Sequence, residues 1–115
     1  MAERPSVRTI IYPVRDLAAA KARFSALAGA EPAQESAGYV GYELDGQQVG
    51  LDPHGHAHGL SGPVAYWHVA DIEASLDALR AAGGTVAREL TNVGGTRRIA
   101  VVTDPDGNPI GLLQD

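Results

Sequence analysis

Two stretches decide the fold: Val14–Gly29, VRDLAAAKARFSALAG, and Val69–Gly84, VADIEASLDALRAAGG. Val14, Asp16, Leu17, Phe24 and Gly29 recur as Val69, Asp71, Ile72, Leu79 and Gly84, each pair 55 positions apart. Working outward, DGQQVGL returns as DGNPIGL, so that Asp45, Gly46, Gly50 and Leu51 become Asp106, Gly107, Gly111 and Leu112 at an offset of 61. The second copy thus carries six extra residues between its helix and its last hairpin. Two copies, each holding several kinds of element, describe a duplicated module and not a solenoid.

Each copy reads in the same order. An extended run comes first, Val7–Val14 or Val64–Val69. Asp16 and Asp71 then open helices, because an aspartate there accepts the free amide hydrogens of the first turn. Leu17, Ala20, Phe24, Leu27 and Ala28 make an apolar stripe at helical spacing, as do Ile72, Leu76, Leu79 and Ala82. Gly29 and Gly83-Gly84 close the helices. Strands follow at Tyr39–Leu44 and Val49–Asp52, and at Val86–Leu90, Arg98–Thr103 and Ile110–Leu113, with one more around Glu31–Ser36. Asp45-Gly46 and Asp106-Gly107 are the tight-turn pairs between the last strands. The expected fold class is α+β, two β-α-β-β-β modules in one domain over 1–115: module one about 7–53, a linker 54–63, and module two about 64–115.

Composition removes several functions. The 115 residues, 44% hydrophobic, suffice for one core, and a formal charge of -5 argues against a nucleic-acid partner and against an anionic membrane surface. With no cysteine there is no disulfide frame, thiolate metal site or cysteine nucleophile. The N-terminus lacks a leader-like apolar run and no stretch reaches membrane-spanning length, so a cytoplasmic location is the expectation. No phosphate-binding glycine loop, G-x-S-x-G elbow or H-E-x-x-H pattern occurs.

The paired modules, the V-x-D-[LI] at each helix start and the ending DPDGNPIGLLQ resemble the vicinal oxygen chelate superfamily of glyoxalases, bleomycin-resistance proteins and dioxygenases. The resemblance runs from about Val7 to Gln114 and implies that each module curls its sheet around a half-cavity. It also implies four metal-ligand positions, which fall here on Thr9, Gly50, Val64 and Gly111; none offers a serviceable side-chain donor beyond a weak threonine hydroxyl. Neither a metal nor another cofactor is therefore expected. A homodimer, as in the bleomycin-resistance branch that the chain resembles, and a small-molecule ligand are the expected partners.

The ligand-facing residues expected from this frame are Thr9, Ile11, Gly50, Asp52, Val64, Tyr66, His68, Arg98, Gly111 and Leu113. Strand alternation puts His68 on the face of Val64 and Tyr66, leaving Trp67 toward the helix. His68 and Asp52 are the candidate acid-base pair, against the plainer reading of His68 as a structural residue at a strand end. Tyr39, Tyr42, Tyr66 and Trp67 invite a stacking site, or else fill the core between sheet and helix, with Tyr66 the best cavity candidate. Arg97 and Arg98 either clamp an anionic group or sit solvated on an edge strand, beside a loop loosened by Asn92, Gly94 and Gly95. His54, His56 and His58 alternate as metal ligands in an extended strand would, but flanking glycines favour an exposed linker.

Three functions follow from different classes. The first is a metal-independent binding protein that sequesters a drug or metabolite. The second is a metal-dependent lyase, isomerase or dioxygenase of the same superfamily. The third is a metal-free enzyme using His68 as general base.

Overall fold

The computed structural model describes residues 4–115; residues 1–3, the start of the segment read as leaderless, lie outside them. Over the described residues the fold is α+β, with eight strands and two α-helices, and the chain divides into two compact units. One unit is Arg8–Pro63; the other is Val64–Asp115 together with the residues before Arg8.

The first unit contains β1 (Ser6–Pro13, from Arg8 on), α1 (Leu17–Ala28), β2 (Gln34–Ser36), β3 (Tyr39–Leu44) and β4 (Gln47–Asp52). Its strands lie in the order β2-β3-β4-β1, with β1 and β4 parallel and the other neighbours antiparallel. Asp16 caps α1 by accepting the Ala19 N–H at 3.0 Å, and Gly29 closes it at φ 64. Ala20 is fully buried and Leu17 and Phe24 pack with Val40, Tyr42 and Leu51 between helix and sheet. Leu27, expected in that stripe, is 84% exposed in the last turn of α1. Tyr42 belongs wholly to this core: its hydroxyl donates to the Lys21 carbonyl at 3.1 Å and lies 2.7 Å from Ser25 Oγ.

The second unit repeats the order with β5 (Val64–His68), α2 (Ile72–Ala81), β6 (Thr85–Gly94), β7 (Arg97–Thr103) and β8 (Pro109–Gln114), arranged β5-β8-β7-β6. Here β5 and β8 are the parallel pair. Asp71 caps α2 through the Ala74 N–H at 3.1 Å, and Ile72 and Leu76 pack on Ala100, Val102 and Leu112. The extra residues lengthen β6, through irregular register, as far as Gly94 instead of forming a loose loop. Asn92 ties that end down: its amide donates to the Gly95 carbonyl at 3.0 Å and its carbonyl accepts the Gly94 N–H at 2.9 Å.

The expected linker is also folded. His56–His58 form a 3-10 turn, Gly55 is buried against Pro13, and Leu60 is buried as an apolar anchor. Among the described residues, no helix is long and apolar enough to cross a membrane.

Candidate functional site

In a strand successive side chains point to opposite faces, so the core residues fix which positions lie on the face away from each helix. In the first unit Tyr12, Val40, Tyr42, Val49 and Leu51 pack toward α1. The opposite face therefore carries Thr9, Ile11 and Pro13 of β1, Tyr39, Gly41 and Glu43 of β3, and Gln48, Gly50 and Asp52 of β4. Their registers align two cross-strand rows, Thr9–Gln48–Glu43 and Ile11–Gly50–Gly41, with Pro13 beside Asp52. Four expected residues, Thr9, Ile11, Gly50 and Asp52, thus share one surface.

The middle row is a floor of backbone roofed by an aromatic ring. A Cβ at Gly41 would lie 2.8 Å from Tyr39 Cε2; one at Gly50 would meet the Tyr39 hydroxyl and lie 2.5 Å from Ile11 Cδ1. Tyr39 therefore spans β3 and β4 and reaches the side chain of β1, in space that only glycine leaves open. Beside it the buried Thr9 hydroxyl donates to Gln48 Oε1 at 3.1 Å and orients that carboxamide. The Asp52 carboxylate accepts the His54 N–H at 2.8 Å, so it shapes the turn that follows β4.

In the second unit Val64, Tyr66 and His68 alternate on β5, and Tyr66 and His68 stand in register with Gly111 and Leu113. Five expected residues thus again share one face of a sheet. Tyr66 lies on Gly111: a Cβ there would be 2.6 Å from Tyr66 Cδ1 and 2.9 Å from the Ala65 carbonyl oxygen. On this face Val64 at 0%, Tyr66 at 3% and Leu113 at 2% exposure are buried, while His68 at the strand end is partly exposed.

Arg98 departs from expectation. It alternates with Ala100 and Val102, which pack on α2, and its guanidinium reaches Glu73 Oε1 at 3.0 Å and Gln114 Oε1 at 3.2 Å. It locks helix to sheet on the side away from Tyr66, with Gln114 also accepting the Ile72 N–H at 2.8 Å. Arg97, on the other side, forms a two-pronged pair with Asp115 at 2.6 and 3.0 Å. Trp67 stands in register with Leu112, on the helix side as alternation requires, yet it is 43% exposed instead of covered by α2. Sequence reasoning named Tyr39 only as one of four aromatics for a stacking site and left Gln48 out; the alternation in QQVGLD, which places Gln48 with Gly50 and Asp52, was the available signal for the latter.

An open groove of about 650 Å3 lies apart from these faces, between α1 and β2, lined by Leu17, Lys21, Ser25, Glu35 and Val40. The Glu35 carboxylate accepts from Lys21 Nζ at 2.6 Å and, as the main cause, raises the Lys21 pKa above its ordinary value. None of the expected ligand residues lines this groove.

The model of the Glyoxalase/Bleomycin resistance protein/Dioxygenase superfamily matches residues 6–112. The chain belongs to this superfamily. Within the superfamily its curated relatives include the lactoylglutathione lyase of Haemophilus influenzae, 37% identical over 91 residues, covering 67% of this chain and 62% of that protein. A probable lactoylglutathione lyase of Vibrio parahaemolyticus is 52% identical over 56 residues, covering 44% of this chain and 41% of the other. The chain thus spans less than two thirds of the curated relatives it matches. Among solved structures, a superfamily member from Vibrio splendidus is 25% identical with a TM-score of 0.71, covering 97% of this chain and all (100%) of that one. The Mn(II)-bound glyoxalase of Novosphingobium aromaticivorans, at 21% identity and TM-score 0.70 over 100% of this chain and 40% of that one, shares the fold.

The metal that this superfamily implies does not fit the residues present. Thr9, Gly50, Val64 and Gly111 stand at the implied positions, the Thr9 hydroxyl is bonded to Gln48, and tyrosine rings occupy the space that side chains at both glycines would need. Among the described residues, no group of three or more His, Asp or Glu side chains is placed to hold an ion. Of the three loop histidines, His56 and His58 sit in a 3-10 turn and His54 in the turn before it, not in the extended strand that would align their imidazoles.

Proposed function

We propose that this superfamily member is a metal-independent small-molecule-binding protein. The observation that carries the reading is the pair of glycines, Gly50 and Gly111, each covered by a tyrosine ring where the superfamily implies a metal-binding side chain. A face built from Ile11, Tyr39 and glycine backbone, flanked by Thr9 and Gln48, supplies apolar contact with a few placed polar groups, the usual make-up of a small-molecule site. The ligand it suits is a drug or metabolite held by contact, without chemistry. A homodimer in the cytoplasm completes the proposal; light scattering that returns a monomeric mass removes that part.

A second reading has its own support. The curated relatives are named lactoylglutathione lyase or probable lactoylglutathione lyase, which favours a metal-dependent lyase over a binding protein on the ground of kinship. Native mass spectrometry on protein purified without an immobilised-metal step separates the two. A mass free of metal, with no lactoylglutathione lyase activity on adding Zn2+, Ni2+ or Mn2+, supports the binding protein. A stoichiometric divalent ion, or activity that a chelator abolishes, overturns it in favour of the lyase.

A further inference from the structure

The groove between α1 and β2 is space that the second copy of the module fills from its edge strand. There β6 is ten residues long, and its Val86 and Leu90 pack against the core under α2. In the first unit the edge strand β2 has only three residues, all exposed, and none of Gln34, Glu35 and Ser36 is apolar. Counting on at the 55-residue offset, Glu31 stands where the second copy has Val86. The groove of about 650 Å3 that is left has the usual volume of a small-molecule site. Leu17, Ala18 and Ala22 of α1, with the buried Val40 of β3, give it an apolar stretch, and Ser25 and Glu31 lie toward the C-terminal end of the helix. From Leu17 to Ser25 the helix rises about 12 Å. Lys21 on one wall and Glu35 on the other are joined at 2.6 Å, whereas the Glu31 carboxylate makes no hydrogen bond or ion pair among the described residues. Two carboxylates against one ammonium leave the groove with an excess of negative charge. The end of α1 adds to it, since no basic residue in the last turn offsets the partial negative charge of the final carbonyls.

We propose that this groove is a further binding site, separate from the strand faces, and that it takes an elongated organic cation: a primary ammonium on a linear apolar body. The ammonium pairs with Glu31 beside the last turn of α1, and the body lies along Ala22, Ala18 and Leu17 over Val40. Lys21 opposes the ligand twice, by repelling its charge and by occupying Glu35, so the anchor is Glu31. The proposal holds whether or not the strand faces take a metal.

The test uses the whole chain and n-octylammonium chloride, with octanol and sodium octanoate as neutral and anionic controls of the same body. A nitrogen-15 amide spectrum recorded during titration is expected to shift at residues 17–25, 31–36 and 40 with octylammonium, and far less with either control at the same concentration. Glu31→Gln is expected to weaken binding about threefold, the scale of one exposed ion pair, and Lys21→Met to tighten it by a similar factor. The opposite signs separate recognition of charge from apolar contact alone, and melting curves check that both variants fold. Equal shifts with octanol, shifts centred on residues 9–13, 48–52 or 64–68, no shift at millimolar octylammonium, or folded variants that both bind as the parent does each overturn the proposal. A peptide of alternating lysine and valine that shifts residues 33–36 where octylammonium does not also overturns it, in favour of strand addition to the edge of β2.

Discussion

Gly50 and Gly111 occupy equivalent places in the two copies, but a methyl group would meet different neighbours at each. At Gly50 it meets the far ends of side chains, the Tyr39 hydroxyl and Ile11 Cδ1, which can swing aside. At Gly111 it meets the inner atoms of the Tyr66 ring and the fixed carbonyl of Ala65. Overpacking a core costs about 1–3 kcal/mol. Gly50→Ala should fall near the lower end of that span and Gly111→Ala near the upper, both read from urea unfolding. Equal losses would show that the second face yields as readily as the first. Tyr42→Phe removes a hydroxyl placed between Ser25 and the Lys21 carbonyl and should cost about 1 kcal/mol in the same assay, with no effect on the face that carries Tyr39.

At the scale of elements, both helices start where an aspartate takes up a free amide of the first turn. Asp16→Ala and Asp71→Ala should each cost about 1 kcal/mol in thermal or urea melts. The two hairpin turns have diverged. Asp45 and Gly46 both adopt positive φ, 52° and 84°, the form that a two-residue turn between twisted strands demands. The later turn is wider, and Asp104 organises it by accepting the Asn108 and Asp106 amides at 2.8 and 3.0 Å. The bond from the Asn108 backbone, ahead of the one from its side chain, holds the Asp104 pKa below its ordinary value. Its folded form therefore favours the charged state: the contribution is complete above the ordinary carboxylate value and disappears as pH falls through the lowered one. Asp104→Asn should lower the melting temperature at neutral pH and narrow the gap from the parent in acid; a constant difference across pH would refute the coupling.

These elements also show what a single sequence discloses. Asp16, Asp71 and the Asp-Gly pairs act through neighbours three or fewer residues away, and a repeat prints each signal twice, so helices, turns and the order of elements along the chain were legible. The shared faces of Thr9, Ile11, Gly50 and Asp52, and of Val64 to His68, followed from alternation once the strands were placed. Arg98 was not legible in that way, because its place depends on register with Gln114 and on Glu73 lying 25 positions away on α2. The folded linker was hidden because glycine and histidine suggest looseness, while Leu60 alone supplies the anchor. Tyr39 was named for a stacking site but not singled out: the alternation that sends Tyr42 into the core sends Tyr39 out of it, and residue type alone does not say which.

For the molecule as a whole, the proposed metal independence predicts that the fold does not respond to a metal. A ligand bound only by the native state raises stability by mass action, about 2.7 kcal/mol at a hundredfold excess over its dissociation constant. Neither a chelator nor added Zn2+ should therefore move the melting temperature, and a rise with Zn2+ would reveal a site. Optical work on this chain meets a particular circumstance. Its single tryptophan, Trp67, stands at 43% exposure on a strand whose neighbours Val64 and Tyr66 are buried. Its indole already meets solvent in the native state, so its emission should be shifted toward that of a tryptophan in water and change little as the chain unfolds. The intrinsic fluorescence of this protein is thus a reporter of whatever approaches Trp67 from outside, and far-ultraviolet circular dichroism is the signal that follows folding.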